Sequence, residues 1–285
     1  MIVMRVLMLL LVLAPLSTPP LEGGFWEKLK EMIWNKSVNP PPTIEVLIVN
    51  DQPSAMLDVT GKYRIFDPHA QQSISKRFLG KRKSIQSLSS GLKWGEEFPG
   101  VYQIHIVPED PSQVTFIDGV EYKGSFFIYD IGGTISIVNQ VNIEDYLKST
   151  LPKEFPIPMP EETLAAIAIA ARTNAFYYSQ HPSNRFWAVD AKNVGYQGVE
   201  LTSPMNDMER AIQMTRYMVL SQTGAYEGVV TPFASRWGSV IGSHSAQQIE
   251  SHISLHEAEQ MGKNNKHAAQ ILSHAFPDSH IEMIY

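Results

Sequence analysis

The 285-residue chain contains no cysteine. Disulfides, thiolate metal sites and cysteine nucleophiles are therefore excluded, whereas the redox compartment stays undetermined. Positive charge is also scarce, because 23 lysines and arginines stand against 29 acids and leave a net charge of -6. Phosphate backbones are recognised by clustered basic side chains, so this balance argues against nucleic acid as a partner.

The sequence also lacks an apolar run long enough to span a bilayer comfortably. The run at residues 6–16 follows Arg5 and matches the hydrophobic region of a signal peptide. We predict that residues 1–20 form a signal peptide or an uncleaved N-terminal anchor, with a buried core helix as the remaining alternative. Residues 21–42, which end in three prolines, are interpreted as a linker. The folded part is therefore expected to be exported to the periplasm or cell envelope, touching a membrane only through its N-terminus.

The chain after residue 42 begins with short segments rich in β-branched and aromatic residues, several of which alternate with period two. The polar stretch at residues 68–100 is interpreted as a solvated loop, with contact to an anionic polymer as the alternative. Turn signals such as Asp118-Gly119 separate the apolar segments. Strands are predicted at 43–49, 62–66, 101–107, 113–117, 125–131 and 134–138.

Beyond residue 139 the apolar spacing becomes helical. Residues 160–180 begin with a proline and two glutamates, which suit the start of a helix, and continue with leucine, isoleucine and alanine. Their alanine-rich face allows a neighbouring backbone to approach closely, so we expect this helix to be central. Strands first and helices later predict an α+β fold, with a β-rich part at 43–140 and a helix-rich part at 141–285. Further helices are predicted at 205–218, 255–262 and 266–275.

Glu154 lies between Pro152 and Pro156 in the segment LPKEFPIP. The prolines restrict the backbone on both sides, and Phe155 and Ile157 supply apolar neighbours. Such surroundings disfavour the carboxylate anion, which is how enzymes keep a glutamate protonated for general acid catalysis. On the residues alone, however, an ordinary solvated loop acid is the favoured interpretation.

Arg172 interrupts the apolar run of the 160–180 helix. A charged side chain there either extends to solvent or pairs with an acid at the start of the same helix. On the residues alone, a structural ion pair is the favoured interpretation.

The stretch VNIEDYLKSTLPKEFP, followed by EETLAAIAIAARTNAF, resembles the hallmark of the SpoIID/LytB family of stage II sporulation protein D and amidase-enhancer relatives. The resemblance extends to FWAVDAKNVGYQG and AAQILSHAFPD, and so covers roughly residues 43–285 as one SpoIID-like domain. The compact, cysteine-free form is similar to the homologues of chlamydiae. The resemblance implies a peptidoglycan lytic transglycosylase, which cleaves peptide-free glycan strands between N-acetylmuramic acid and N-acetylglucosamine in cell-wall remodelling and division.

The same resemblance implies roles for five residues. Glu154 takes the place of the catalytic glutamate: it protonates the glycosidic oxygen, then accepts the proton of the sugar's C6 hydroxyl as a 1,6-anhydro ring closes. No second carboxylate is needed, unlike in most glycosidases. Arg172 matches the family's ART arginine and either orients Glu154 or binds sugar. For Asp190 and Tyr196 substrate binding and a structural role stay open. Ser235, which is retained from the family's Y-H-S-S-S-G-G stretch, is expected to bind substrate.

Two departures from the family pattern keep a second function open. Phe233 and Ala234 replace the tyrosine and histidine of that stretch, and a glycine-rich element near the C-terminus is blurred into IESHISLHEAEQ. A non-catalytic peptidoglycan-binding factor would tolerate such changes. In that alternative the chain enhances an N-acetylmuramoyl-L-alanine amidase at the division septum.

Histidine and tryptophan side chains are weaker candidates. His252 and His256 have the spacing of one helix face, but HEAEQ lacks the second histidine of the H-E-x-x-H zinc motif. With no cysteine ligands either, we expect no metal and no cofactor. Trp187 and Trp237 offer aromatic faces to sugars, although plain packing is favoured for each.

Overall fold

The computed structural model describes residues 41–69, 72–77, 82–182, 184–199, 206–226, 228–230, 233–234, 237 and 249–284. The N-terminal unit, Met1–Pro40, contains the predicted signal or anchor and lies outside the described residues. Within the described ranges, no helix combines the length and the apolar character needed to cross a membrane. The unit Pro41–Tyr285 contains a β-rich region followed by helices, so the α+β prediction is confirmed.

Short strands make up the first part of this unit. They arise where β-branched and aromatic residues alternate with polar ones, as in β8, where Ile104 and Ile106 are buried and His105 points the other way. The first twelve strands are β1 (Thr43–Gln52), β2 (Ser54–Val59), β3 (Tyr63–Asp67), β4 (Gln72–Arg77), β5 (Lys83–Leu88), β6 (Gly91–Trp94), β7 (Glu96–Pro99), β8 (Gln103–Pro108), β9 (Thr115–Ile117), β10 (Val120–Tyr122), β11 (Ser125–Ile131) and β12 (Thr134–Asn142).

The helices and the remaining strands follow. Helix α1 (Ile143–Glu154) continues directly from β12, and α2 (Glu161–Gln180) is the longest helix described. The other elements are β13 (Val189–Asp190), α3 (Ala191–Val194), α4 (Asp207–Met214), β14 (Met218–Gln222), a 3-10 turn (Gly224–Tyr226), β15 (Phe233–Ala234), β16 (Ile249–Glu250), α5 (Leu255–Lys263), α6 (Ala268–Ala275) and β17 (Ser279–Met283).

Two sheets enclose the β-rich core. The seven-stranded sheet has the order β13-β1-β12-β11-β8-β3-β4, and the six-stranded sheet has the order β10-β9-β2-β5-β6-β7. All of these pairings are antiparallel except that of β1 with β13. Only Pro53 separates β1 from β2, so the chain changes sheets there. The inner faces of both sheets contribute to one apolar cluster, which also includes the helices.

Helix α2 lies at the centre of the helical part, as its alanine content predicts. Fourteen of its twenty residues are buried. Helices α1, α4, α5 and α6 and strands β1 and β14 all pack against it. Small side chains allow neighbours to approach on several sides at once, and the resulting burial stabilises a helix that has little polar surface.

The interpretation of residues 68–100 as a loop is wrong, because β4, β5, β6 and β7 lie there. These strands are short and rich in serine, lysine and glutamate, and their inward faces carry few apolar residues, among them Ile85, Leu92, Trp94 and Phe98. Pairing with other strands stabilises them: β4 pairs with β3 in the seven-stranded sheet, and β5, β6 and β7 belong to the six-stranded sheet, where β5 also pairs with β2. A sequence window that short cannot reveal it.

The predicted helix at 205–218 is too long. Helix α4 ends at Met214, Tyr217 has a positive φ of 66°, and the chain continues as β14, which pairs with β17. The two C-terminal helices are confirmed with small changes of boundary, as α5 and α6.

Candidate active site

Glu154 is the last residue of α1. Pro152 lies in the last turn of this helix, and Pro156 follows the C-cap residue, Phe155. The N–H of Phe155 donates to the carbonyl oxygen of Leu151 over 2.9 Å, which ties the backbone after Glu154 to the helix. Each proline fixes its own φ angle. Glu154 therefore projects from a stiff corner of the backbone, with its side chain partly buried.

A buried phenol stands close to this carboxyl group. Tyr146 lies about two turns before Glu154 on the same helix, and its hydroxyl has no hydrogen-bond partner among the described residues. Burial raises the pKa of Tyr146 above its ordinary value, and the charge of Glu154 raises it further. The charge of Glu154 therefore acts electrostatically on the buried phenol of Tyr146.

A cleft of ≈ 240 Å³, lined mainly by apolar side chains, runs along the segment that carries Glu154. One wall consists of Pro152 and residues 155–158, which flank Glu154 in the chain. Leu164 of α2 and residues 206–208, at the start of α4, form the other side. Ile157 in this wall is 69% exposed. The cleft thus combines apolar side chains with the polar Asn206 and Asp207 and is open to solvent, and Glu154 itself is not among its lining residues.

Arg172 pairs with Glu144 of α1, at the centre of the helical part. Its Nε and Nη2 donate to Glu144 Oε1 and Oε2 over 2.8 and 2.9 Å, and the arginine side chain is fully buried. The structural ion pair favoured from the residues alone is confirmed, but the expected place of its partner is wrong, because Arg172 does not pair with the acids that begin α2. The partner lies on the preceding helix, 28 residues away in sequence.

The remaining donors of Arg172 are also used. Its Nη2 donates to the carbonyl oxygen of Ile212 over 2.9 Å. Its Nη1 donates to the carbonyl oxygen of Met218 over 3.2 Å and to the hydroxyl of Thr215 over 3.3 Å. One side chain therefore joins α1, α2 and the end of α4, and this geometry favours a positioning role for Arg172 over contact with sugar.

Asp190 and Tyr196 occupy structural positions. Asp190 is the N-cap of α3, where its carboxylate accepts from the N–H of Lys192 over 2.8 Å. Tyr196 is buried, and its hydroxyl donates to Asn139 Oδ1 over 2.7 Å. Its ring stacks on Tyr146 with the centroids 5.6 Å apart. Burial raises the pKa of Tyr196 well above its ordinary value. Of the two roles left open, the geometry favours packing.

The segment after Tyr196 ties the β-rich part to α1. Gly198 has a φ of +81°, and a Cβ there would lie 2.1 Å from the carbonyl oxygen of Glu121, so only glycine fits. Next to it, Gln197 accepts from Lys153 Nζ over 2.7 Å, and its N–H donates to the hydroxyl of Ser149 over 3.3 Å. Lys153 precedes Glu154, so this contact reaches the candidate acid's immediate neighbour.

Comparison with known proteins assigns the family. The sequence profile of SpoIID, described as stage II sporulation protein, matches residues 132–222. An uncharacterized protein of Chlamydia pneumoniae is 31% identical over 202 residues, which are 70% of this chain and 73% of that protein. The chain belongs to the SpoIID family.

Two further SpoIID relatives are similar over nearly the same length. An uncharacterized protein of Chlamydia muridarum is 32% identical over 199 residues, covering 69% of this chain and 68% of that protein. An uncharacterized protein of Brachyspira hyodysenteriae is 30% identical over 203 residues, covering 71% of this chain and 53% of that protein. The chlamydial character expected from the sequence is therefore confirmed, and the chain is a member of a family of cell-wall-related sporulation proteins.

The SpoIID match contains four of the five candidate residues: Glu154, Arg172, Asp190 and Tyr196. Ser235 lies beyond residue 222 and outside the described residues. Tyr196 stacks on Tyr146, on which the charge of Glu154 acts electrostatically, whereas Arg172 acts on α1 through Glu144.

The weaker candidates also have defined places. Trp237 is buried, its Nε1 donates to the carbonyl oxygen of Ile253 over 3.1 Å, and it packs near Phe276. Helix α5 begins at Leu255, so His252 lies before it and does not share a helix face with His256. The described part of the chain contains no group of three side chains suited to hold a metal ion.

Sequence reasoning missed the residues that position the acid. Glu144, Tyr146 and Asn139 were not singled out, although the first two stand in the same VNIEDYL stretch as the family pattern. A buried carboxylate, a buried phenol and a buried amide in one segment become recognisable only when Arg172 and Tyr196 are placed beside them.

Proposed function

We propose that this SpoIID-family chain is a peptidoglycan lytic transglycosylase that acts on peptide-free glycan strands. The bond cleaved lies between N-acetylmuramic acid and N-acetylglucosamine, and the product carries a 1,6-anhydro end. The observation that carries the proposal is the place of Glu154: a partly buried acid at a stiff helix end, whose flanking residues line a cleft, within the part of the chain that matches the family.

A single carboxyl group suffices for this reaction. Glu154 gives its proton to the glycosidic oxygen as the bond from that oxygen to C1 of the muramic acid breaks. The C6 hydroxyl of the same sugar then attacks C1 and returns its proton to the Glu154 carboxylate. The acid is regenerated without water, so the second carboxylate of the usual glycosidase is not required.

The position of Glu154 suits its role as proton donor to the glycosidic oxygen. The carbonyl groups of the last helical turn carry partial negative charge, which opposes ionisation of a carboxyl group at that end. The neighbouring apolar side chains, Phe155 and Ile157, add little solvation to an anion. A general acid must carry its proton before the glycosidic bond breaks.

The buried contacts around α1 supply the orientation that such a reaction needs. Arg172 and Glu144 hold α1 to α2, and Gln197 holds the side chain of Lys153 beside the acid. A catalytic group displaced by about 1 Å loses much of its effect on rate. We therefore assign Arg172 a positioning role and place Asp190 and Tyr196 in the same supporting frame.

The substrate also implies a location and partners. Glycan strands lie outside the cytoplasmic membrane, so the proposal includes export through residues 1–20, either as a cleaved signal or as a retained anchor. Peptide-free strands arise when an N-acetylmuramoyl-L-alanine amidase removes the stem peptides. Such an amidase is the proposed functional partner in the division machinery.

The test is a product analysis with matched variants. The purified full chain is incubated with peptide-free glycan strands, and 1,6-anhydro ends are measured by mass spectrometry. Glu154→Gln keeps the shape of the side chain but holds no transferable acid proton, so the rate should fall by roughly 10²-fold or more. Glu161→Gln is the control, because Glu161 is an exposed acid in the first turn of α2.

The outcomes separate the enzyme from the alternative function. Anhydro ends with wild type and Glu161→Gln, but not with Glu154→Gln, would support catalysis by Glu154. Strands that bind the wild type without gaining anhydro ends would contradict the enzymatic proposal and favour a glycan-binding amidase enhancer. Equal turnover by Glu154→Gln would exclude Glu154 as the acid.

A further inference from the structure

A second cavity lies at the far end of the seven-stranded sheet, where β11 turns into β12. Its volume is ≈ 280 Å³. Its walls come from the end of β3, the start of β8, the end of β11 and the loop before β13, and none of them belongs to the cleft beside Glu154. The side chains that matter are three aromatic rings and three polar groups: Tyr102, Tyr129 and Phe186, with Asp67, Gln103 and Asp130.

The aromatic rings of this cavity are held in position by other groups. Tyr102 is 48% exposed, and its hydroxyl donates to the carbonyl oxygen of Ser89 over 3.3 Å. Phe186 meets Tyr129 edge-on, with the centroids 4.9 Å apart and the planes at 60°. The backbone N–H of Phe186 donates to Asn184 Oδ1 over 2.8 Å. A ligand therefore meets apolar surfaces that need little ordering on binding.

The carboxylates of the cavity are oriented as well. Asp130 accepts from the N–H of Gly133 over 2.9 Å through one oxygen and from the hydroxyl of Ser87 through the other. Asp67 accepts from the N–H of His69 over 2.8 Å. Each carboxylate oxygen has two lone pairs, so Asp130 retains acceptor capacity for hydroxyl groups of a ligand.

The charge of the cavity limits the ligand. Its two carboxylates are opposed by one guanidinium, that of Arg185, which lies over the Phe186 ring 4.5 Å from the centroid. A negative bias disfavours phosphates, sulfates and carboxylates. An uncharged pyranose suits the cavity, because its C–H face can pack on the aromatic rings while its hydroxyls donate to the carboxylate and amide oxygens.

We propose that this cavity binds an uncharged pyranose unit of an oligosaccharide. The identity of the polymer rests on the proposed function: in a peptide-free glycan strand, the unit would be N-acetylglucosamine. N-acetylmuramic acid carries a lactyl carboxylate, which Asp67 and Asp130 would repel.

The cavity and the start of the helix that carries Glu154 lie toward opposite ends of β12. Tyr129 pairs with Ser136 near the start of β12, and α1 begins after Asn142 at the other end. Six residues of strand span about 20 Å, so the cavity lies several sugar units from the start of the catalytic helix. Two weak contacts on one polymer raise its overall affinity without any change in either contact.

Calorimetric titration of the full chain with a hexamer of N-acetylglucosamine tests the site. Removing the exposed ring in Tyr102→Ala should weaken binding by roughly tenfold. Tyr102→Phe keeps the ring and should bind like wild type. Tyr177→Ala is the aromatic control, because Tyr177 is a partly buried ring on α2 outside the cavity. Absence of hexamer binding by wild type, or equal affinity of Tyr102→Ala and wild type, would overturn the proposal.

The two proposals fail in distinguishable ways. Hexamer binding that depends on Tyr102, combined with no anhydro ends on glycan strands, would leave the sugar site standing and remove the enzymatic function. Glycan cleavage that depends on Glu154, combined with no hexamer binding, would support the enzymatic function and remove the sugar site. Glu161→Gln should bind the hexamer as wild type does, since Glu161 is an exposed acid that does not line the cavity.

Discussion

Arg172 and Glu144 form two parallel N–H···O bonds, 2.8 and 2.9 Å long, in the interior of the helical part. The arginine side chain is 0% exposed and the glutamate side chain 8%. Glu144 and Glu154 stand at opposite ends of α1. This ion pair therefore fixes the helix that carries the candidate acid against the central helix.

Replacing this arginine by lysine should destabilise the fold strongly. An ammonium group in Arg172→Lys cannot form two parallel bonds to Glu144 and cannot reach the carbonyl oxygens of Ile212 and Met218 together. Breaking a buried pair leaves an undercompensated charge, which costs about 3–5 kcal/mol. Urea unfolding of the full chain should show a loss of about that size.

The same substitution at an exposed pair provides the control. Arg210 pairs with Asp207 on the surface of α4, where the two side chains are 57% and 59% exposed. Exposed pairs contribute little, so Arg210→Lys should change the free energy of unfolding by less than about 0.5 kcal/mol. Equal effects of Arg172→Lys and Arg210→Lys would contradict the structural role of the buried pair.

Local patterns in the sequence predict the elements that are long or strongly periodic. Helix α2 follows from its alanine and leucine spacing, and β1, β11 and β12 follow from dense runs of β-branched and aromatic residues. The strands between residues 72 and 99 were missed because their partners in the sheet supply most of their stability. The end of α4 was misplaced for a related reason, since β14 exists only by pairing with β17, about sixty residues later.

The candidate site was also only partly predictable from the local sequence. Glu154 stands out in sequence because prolines surround it and the family motif contains it. The partner of Arg172 does not, because a contact over 28 residues depends on how α1 packs against α2. The sequence also does not show which tyrosines are buried. Tyr196 is buried and forms a hydrogen bond to Asn139, whereas Tyr102 is exposed.

Gly262 on α5 should not tolerate alanine. A Cβ at this position would lie 2.3 Å from the Thr163 hydroxyl oxygen and 2.9 Å from Pro160 Cβ, where α5 crosses the start of α2. Alanine favours a helix over glycine by about 1 kcal/mol, but overpacking typically costs about 1–3 kcal/mol. We expect a net loss of stability for Gly262→Ala, measured by thermal and urea unfolding.

A double variant checks the cause of that loss. Thr163→Ala removes the oxygen that the new Cβ would meet, together with its hydrogen bond to the Ala258 carbonyl oxygen. The Thr163→Ala/Gly262→Ala protein should lose less stability than the sum of the two single variants. Strict additivity would show that the clash with Thr163 is not what makes Gly262→Ala unfavourable.

His105 should make stability depend on pH. Its ring stacks on Phe127 at 3.9 Å and contacts the hydroxyl of Ser125 over 2.9 Å, and burial lowers its pKa from 6.5 to about 4. Between these values the unfolded chain binds more protons at this site than the folded protein. The neutral imidazole therefore makes its full contribution to the free energy of unfolding above pH 6.5. This contribution, at most on the order of 3 kcal/mol, is lost as the pH falls to about 4.

His105→Phe isolates this contribution from that of the carboxylates. The variant keeps an aromatic ring beside Phe127 but has no group that titrates. Urea unfolding at several pH values between 7 and 4 should give a flatter dependence for the variant than for wild type. Parallel curves for the two proteins would mean that the imidazole is not held neutral by the fold.

Tyr146 and Tyr196 should respond in opposite ways to the same substitution. Their rings stack on each other, but the Tyr196 hydroxyl donates to buried Asn139, whereas the Tyr146 hydroxyl has no partner in the described part of the chain. Tyr196→Phe leaves an unsatisfied amide oxygen and should cost about 1–3 kcal/mol. Tyr146→Phe removes a buried hydroxyl that has no partner among the described residues, so stability should stay constant or rise by up to about 1 kcal/mol.

Chemical denaturation of the Tyr146→Phe and Tyr196→Phe proteins measures this contrast in stability. A loss of stability in Tyr146→Phe as large as that in Tyr196→Phe would reveal a hydrogen-bond partner for the Tyr146 phenol. The carboxyl group of Glu154 would be the first candidate. Repeating Tyr146→Phe in a Glu154→Gln background would test it.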